Sequence, residues 1–320
     1  MATKKYSFLL GLITLICSTS VFAQESSVWS DSSYYQSGKL PQYNEFMNNL
    51  YAFPPKPRNM WEVGVKLGTP VIGGDIPANY PGFGFGLHVR KALGYSFSIR
   101  GEFSQGTSTG QAWRASNNYS SNPAWMKNGY QPNLVNPSTG ARTNAKDQVF
   151  YNYKSTVNNL SVEGVLNVSN ISFHKAKTKI SLYGFAGLGL GWYGTKVNAL
   201  NASNAKYNFN SIPTGTYSTR NSTRTALKNL LDDTYETDAD VNNGMKLFGK
   251  SARLTSTLGF GVAVRISKRI NIALEDRIVM FRDDLLDGQQ WAEQSFGNPN
   301  YTRNYDYYNF LSLGLNINIF

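Results

Sequence analysis

The densest group of side chains capable of chemistry is Asp283, Asp284 and Asp287, a short acidic run closed by Gly288. Hard cations take oxygen ligands, so these three carboxylates could hold calcium or another divalent ion that bridges lipopolysaccharide, although their spacing is not that of the full calcium-binding loop. A solvated loop start, with salt bridges to Arg282, is the alternative reading. The only other soft or titrating candidates are His88, His174 and the single cysteine, Cys17. No metal cluster and no Ser/His/Asp set can be assembled from them, so neither an enzyme nor a resident cofactor is expected. Gly189, Gly191 and Gly194 satisfy the G-x-G-x-x-G spacing of dinucleotide sites. That chemistry needs a strand-to-helix turn presenting amides to a pyrophosphate, and here the glycines merely continue an alternating strand.

Those residues must be positioned by something, and the N-terminus shows where the chain is bound. Lys4 and Lys5, the apolar run from Phe8 to Ile16 and the small-residue site Val21-Phe22-Ala23 have the layout of a secretory signal peptide, residues 1–23. Cys17 falls inside it, which leaves the mature chain without a thiol. Removing Lys4 and Lys5 leaves 29 basic against 20 acidic residues, a net +9. The basic residues are scattered through strands and loops without a recognition helix, so nucleic acid is not expected as a partner. Anionic lipid headgroups, lipopolysaccharide included, are the better match.

Helix signals are nearly absent after Gln24, and no apolar run is long enough to span a bilayer as a helix, so a membrane role must come from strands. Eight stretches alternate apolar with small or polar residues, as lipid-facing and lumen-facing positions of a barrel do. They begin at Trp61, Phe83, Tyr95, Leu160, Ile180, Arg253, Ile270 and Leu311; the sixth, Arg253 to Ile266, is the cleanest. The connections alternate short and long, the long ones running roughly 105–154, 198–248 and 282–306. They are rich in Asn, Ser, Thr, Gly and Tyr, and this composition predicts loops with no core of their own, either mobile or folded against one another. The expected fold is all-β, an eight-stranded antiparallel transmembrane β-barrel with long extracellular loops. It comprises residues 58–320, after a periplasmic segment 24–57 in which Phe53-Pro54-Pro55-Lys56-Pro57 should be extended. Short turns and both termini would lie in the periplasm of a Gram-negative cell. Trp61, Trp192, Tyr193, Tyr307 and Tyr308 fall near strand ends, where the headgroup girdles should be.

The run from Gln42-Tyr43-Asn44-Glu45-Phe46-Met47 through Phe53-Pro54-Pro55-Lys56-Pro57 into Trp61-Glu62-Val63-Gly64-Val65-Lys66 resembles the N-terminal barrel of Bacteroidota-type OmpA-family proteins. His88-Val89-Arg90-Lys91-Ala92-Leu93-Gly94-Tyr95 and Asp283-Asp284-Leu285-Leu286-Asp287-Gly288 strengthen the match. The resemblance implies an outer-membrane barrel with a part in envelope integrity or in a larger complex with other outer-membrane proteins. Family members commonly add a peptidoglycan-gripping domain; the sequence ends at Phe320, straight after its last alternating strand, so that function is not carried over. A small passive or selective channel is the alternative.

Inward parity collects Glu62, Lys66, Arg90, Arg100, Glu102, Glu163, Arg253, Arg265, Glu275 and Arg277, with His88 beside them. Charges confined in a narrow barrel need partners, so these should interlock, Glu62 with Arg90 in one layer and Arg100, Glu102, Glu163 and Arg253 in another. Asp276, by contrast, faces lipid by parity. Relief is expected from a bulge near Glu275, from a partner protein, or from a position at the rim.

Overall fold

A computed structural model describes residues 32, 36–51, 55, 61–94, 96–116, 119–132, 139, 147–169, 179–239, 244–267, 269–291, 302 and 304–319. The expected signal peptide, part of the 24–57 segment including all of its proline run but Pro55, His174 and the final Phe320 lie outside the described residues. The chain divides into two units, Met1–Pro57 and Arg58–Phe320. In the first, helix α1 (Leu40–Met47) opens with Pro41 in its first turn, where a missing N–H costs nothing. Composition alone gives no helix here; Lys39-Leu40-Pro41 is the available start signal.

The second unit is one antiparallel sheet closed on itself. Its long strands are β1 (Trp61–Gly73), β2 (Ala78–Ala92), β3 (Phe97–Gln111), β4 (Asn152–Asn167), β5 (Ile180–Val197), β8 (Lys250–Arg265), β9 (Ile270–Phe281) and β10 (Tyr307–Ile319). Two short strands, β6 (Thr237–Asp238) and β7 (Lys246–Leu247), add to the long-loop rim. Each long strand pairs with its sequence neighbour, β5 with β8 across the short strands, and β1 closes on β10 from Trp61 opposite Ile319 to Gly73 opposite Tyr307. Eight strands therefore form the wall, and closure leaves it no free edge.

Alternation explains the wall. Val63, Val65 and Leu67 of β1 are exposed on its outer face, as are Leu160 and Val162 of β4 and Leu313, Leu315 and Ile317 of β10. The residues between them are buried inside. Glycines occupy inner positions where a bulky side chain arrives from the facing wall. A Cβ on Gly191 of β5 would run into the Phe281 ring, and one on Gly261 of β8 into Tyr183, so these inner glycines have a packing reason. No helix among the described residues is long and apolar enough to cross a membrane.

Several strands outrun their alternating stretches at the long-loop end. β3 continues through Ser104 to Gln111 and β4 begins at Asn152, eight positions before Leu160. Above them the long loops do bury a core, contrary to the compositional expectation. Trp125, on the short helix α2 (Pro123–Met126), is fully buried, with edge-on contacts to Tyr130 at 5.3 Å and Tyr151 at 6.0 Å between ring centroids. Phe209, Phe150 and Leu227 complete the cluster, the last carried by helix α3 (Arg220–Leu230). Tyr130 donates its hydroxyl to the Ala199 carbonyl at 2.7 Å and accepts from the Tyr207 amide at 3.0 Å, so its own polar end is satisfied.

The aromatic girdle is smaller than expected. Trp61 and Tyr307 are exposed on the outer face and Trp192 is half-buried there, whereas Tyr193 and Tyr308 point inward and are buried. Asp276 sits in an unbroken strand: β9 pairs without a register shift against both β8 and β10, so there is no bulge. Its relief is local. Asn309, outward-facing on β10, donates its amide to the Asp276 carboxylate at 2.9 Å, and Asp276 is half-buried.

Candidate functional site

Six charged residues meet in the middle of the lumen. β1 carries Lys66 inward between outward Val65 and Leu67; β3 supplies Arg100 and Glu102; β4 supplies Glu163; β9 supplies Glu275 and Arg277. Each has a side chain no more than 2% exposed. The Lys66 ammonium lies 2.6 Å from Glu102 and also bridges to Glu275. Arg100 reaches Glu163 at 2.6 Å and Glu275 at 2.7 Å, the second contact spanning the barrel. Arg277 reaches Glu102 at 2.7 Å and Glu163 at 3.1 Å. Three cations thus face three carboxylates, and every carboxylate meets at least two cations. Every ion is thereby paired with opposite charge, where a lone buried ion would cost several kcal/mol, on the order of 3–5.

Aromatic side chains close the group from both sides. Toward the short turns, the Phe185 ring lies 4.2 Å from the Arg100 guanidinium and 5.2 Å from that of Arg277, and Tyr183 donates its hydroxyl to Glu275 at 3.0 Å. Toward the long loops stand Val279, Phe281, Tyr308 and Phe310, all buried. Sequence parity collects the charges but not Tyr183 and Phe185, whose inward direction follows from the same alternation in β5.

Glu62 lies apart, at the short-turn end, with Arg90 at 2.5 Å and the His88 Nε2 at 3.4 Å. Arg253, expected beside Arg100, is instead at the long-loop end, where its Nε is 2.9 Å from Asp283. Arg265 closes β8 near the short turns, outside the central group.

The acidic run does not converge on one point. Asp283 is taken by Arg253 and by the Tyr193 hydroxyl, which donates at 2.6 Å. Asp284 accepts from the Thr302 hydroxyl, and burial pushes its carboxyl up to about 6. Asp287 is fully buried and accepts from the backbone amides of Ile76 at 2.8 Å and Gln289 at 2.9 Å. Among the described residues, no group of three or more His, Cys, Asp or Glu side chains is placed to hold a metal ion. What gathers instead is a set of acids from two connections, β1 to β2 and β9 to β10. Asp306 accepts from the Leu286 amide at 2.8 Å, and both its carboxylate and that of Asp287 crowd the space beside Gly74, where a Cβ would strike them. Burial is the first cause, and the neighbouring acids the next, that raise Asp306; burial likewise raises Asp287 and Asp75. Asp75 and Asp306 carry no motif that singles them out in the sequence, although the alternating connections put both at the same barrel end as Asp287.

No family model matches the chain, and no curated protein sequence does. Solved structures similar in shape include Neisserial surface protein A, 6% identical with a TM-score of 0.35, covering 81% of this chain and 97% of that one. A major outer membrane protein from Thermus thermophilus is 9% identical with a TM-score of 0.36, covering 81% of this chain and 99% of that one. Ail of Yersinia pestis, solved with a heparin analogue, is 9% identical with a TM-score of 0.33, covering 81% and 99% respectively. Likeness this remote says nothing of what the chain binds or does.

Proposed function

We propose that this chain is a sealed outer-membrane barrel with a structural or interaction role, holding a folded loop cap at the cell surface and contributing to envelope integrity or to a larger outer-membrane complex. The carrying observation is the charge-balanced plug of Lys66, Arg100, Arg277, Glu102, Glu163 and Glu275, capped by aromatic rings on both sides. The outward apolar band and the signal-peptide layout support residence in the membrane, and the resemblance to OmpA-family barrels supports the outer one. His88, the described histidine, is enclosed beside Glu62 inside the wall, away from any lipid or solvent substrate, which favours a non-enzymatic reading.

Planar-bilayer recording of the purified protein tests the proposal. Silence is expected. Stable single-channel steps would overturn the sealed barrel and establish the channel alternative.

A further inference from the structure

The outer rim of the wall is not uniform. Above the apolar band, β4, β5 and β8 carry Lys154, Lys196 and Lys250 on the outward face. Lys154 and Lys196 are direct cross-strand partners, and the Lys250 side chain lies over Gly194, one outward position below Lys196. Like charges placed opposite one another repel, so the pairing costs stability unless something anionic covers it. The Asp238 carboxylate is 3.7 Å from Lys196, with 51% of the lysine and 67% of the aspartate side chain exposed, a pair too solvated to neutralise three ammonium groups. On β3 the outward residue paired directly with Lys154 is the uncharged Thr109, and the outward residues near the same end of β1 and β10 include the uncharged Val71 and Tyr307.

Directly below the lysines the wall turns apolar. Trp192 and Leu254 face outward, Leu254 with 76% exposed. The hairpin from β7 to β8 adds Phe248, which is 81% exposed and lies 5.9 Å, centroid to centroid, from Trp192. Its backbone is left-handed, φ 51°, followed by Gly249 at φ 75°. A two-residue turn of this kind favours Asn or Asp at its first position, and a bulky aromatic there is strained. Despite that strain the ring stays bare to its surroundings and packs on Trp192 at the outer wall.

We propose that this face binds the phosphorylated headgroup of an outer-leaflet glycolipid, with Lys154, Lys196 and Lys250 meeting its phosphate and Trp192, Phe248 and Leu254 meeting the start of its acyl chains. The inference rests on the membrane placement proposed above, but not on the sealed lumen. It explains why three lysines and an exposed, strained phenylalanine occur together on one sector: the ligand is anionic above and hydrocarbon below.

The test is binding of lipid A to the full chain in detergent micelles, followed by native mass spectrometry, with bisphosphorylated lipid A, dephosphorylated lipid A and inorganic phosphate as probes. Phosphorylated lipid A should bind roughly ten- to a hundredfold more tightly than the dephosphorylated form, the scale set by three near-surface lysines. Combining Lys154→Gln, Lys196→Gln and Lys250→Gln should abolish that difference, the corresponding Arg replacements should keep it, and Arg282→Gln, elsewhere on the rim, should leave it intact. Equal binding of the two lipid forms to the unaltered protein overturns the proposal even if the Gln variant does not fold. Inorganic phosphate that displaces the lipid at comparable concentration overturns the lipid source. Unheated migration in SDS, recorded in parallel, reports the barrel independently, so a failure here is distinguishable from a failure of the barrel itself.

Discussion

Glu275 is the residue on which the plug turns. It meets Lys66, Arg100 and Arg277 and accepts from the Tyr183 hydroxyl. Glu275→Gln leaves cations without compensation in a dry interior, so it should cost about 3–5 kcal/mol. The measurement is the temperature at which the compact SDS-resistant band converts to the unfolded mobility. Adding Lys66→Met removes one of the stranded charges, so the double variant should lose at least about 1 kcal/mol less than the two single losses summed. Strict additivity would mean that these groups do not act as one unit. The charges themselves were legible because inward parity is a simple count along each strand. Their partners were less so: Arg253 shares the parity of Arg100 yet stands near the opposite end of its strand from the plug, and only the stagger of the strands reveals it.

At the scale of elements, the wall was readable wherever one face meets apolar surroundings and the other the lumen. Above the band that contrast disappears. The Ser104 to Gln111 half of β3 has polar or small residues on both faces, and the strand persists there because β4 supplies its ladder, with Thr107 and Thr156 3.2 Å apart across it. The cap was hidden for a related reason. Trp125, Tyr130, Phe150 and Phe209 come from two separate loops with no period between them, and only the tertiary fold makes them a core. Trp125→Ala should cost the cap about 3–5 kcal/mol. Limited proteolysis should then cut in the β3–β4 loop while the strands stay protected; a wild-type digestion pattern would show that the ring cluster does not hold the loops.

The acids beneath the cap add a pH dependence. Asp287 and Asp306 are raised above the ordinary carboxylate value of 3.8, chiefly by burial, and the higher of the two reaches about 10. The folded cap therefore holds protons that the opened cap releases, so stability is full below the ordinary value and falls as pH rises through the raised ones. Hydrogen exchange of the 284–289 amides should be slower at about pH 5 than at about pH 9, after correction for the intrinsic rate. Asp306→Asn, which keeps the size of the side chain and an oxygen acceptor without a titrating proton, should flatten that dependence. An unchanged slope would mean that Asp306 is not the group that titrates.

The second unit is a barrel obstructed at three heights, by Glu62 with Arg90, by the six-residue plug and by Arg253 with Asp283 under the cap. Apolar side chains could fill the same space at equal or greater stability, so charges here are better understood as fixing which strand faces which. The wall is joined where Trp61 meets Ile319 and Gly73 meets Tyr307. Those partners sit at the two ends of the strand sequence, so a chain made from its N-terminus has β1 waiting, unpaired along one side, until the last strand exists. During that interval β1 offers a row of free amides and carbonyls to any other extended chain. Closure must also bridge nearly the whole sequence, and contacts that distant form late and slowly. Assembly is thus all-or-none in time as well as in geometry, and a nascent chain arrested before residue 307 is a template for aggregation, however complete its first seven strands.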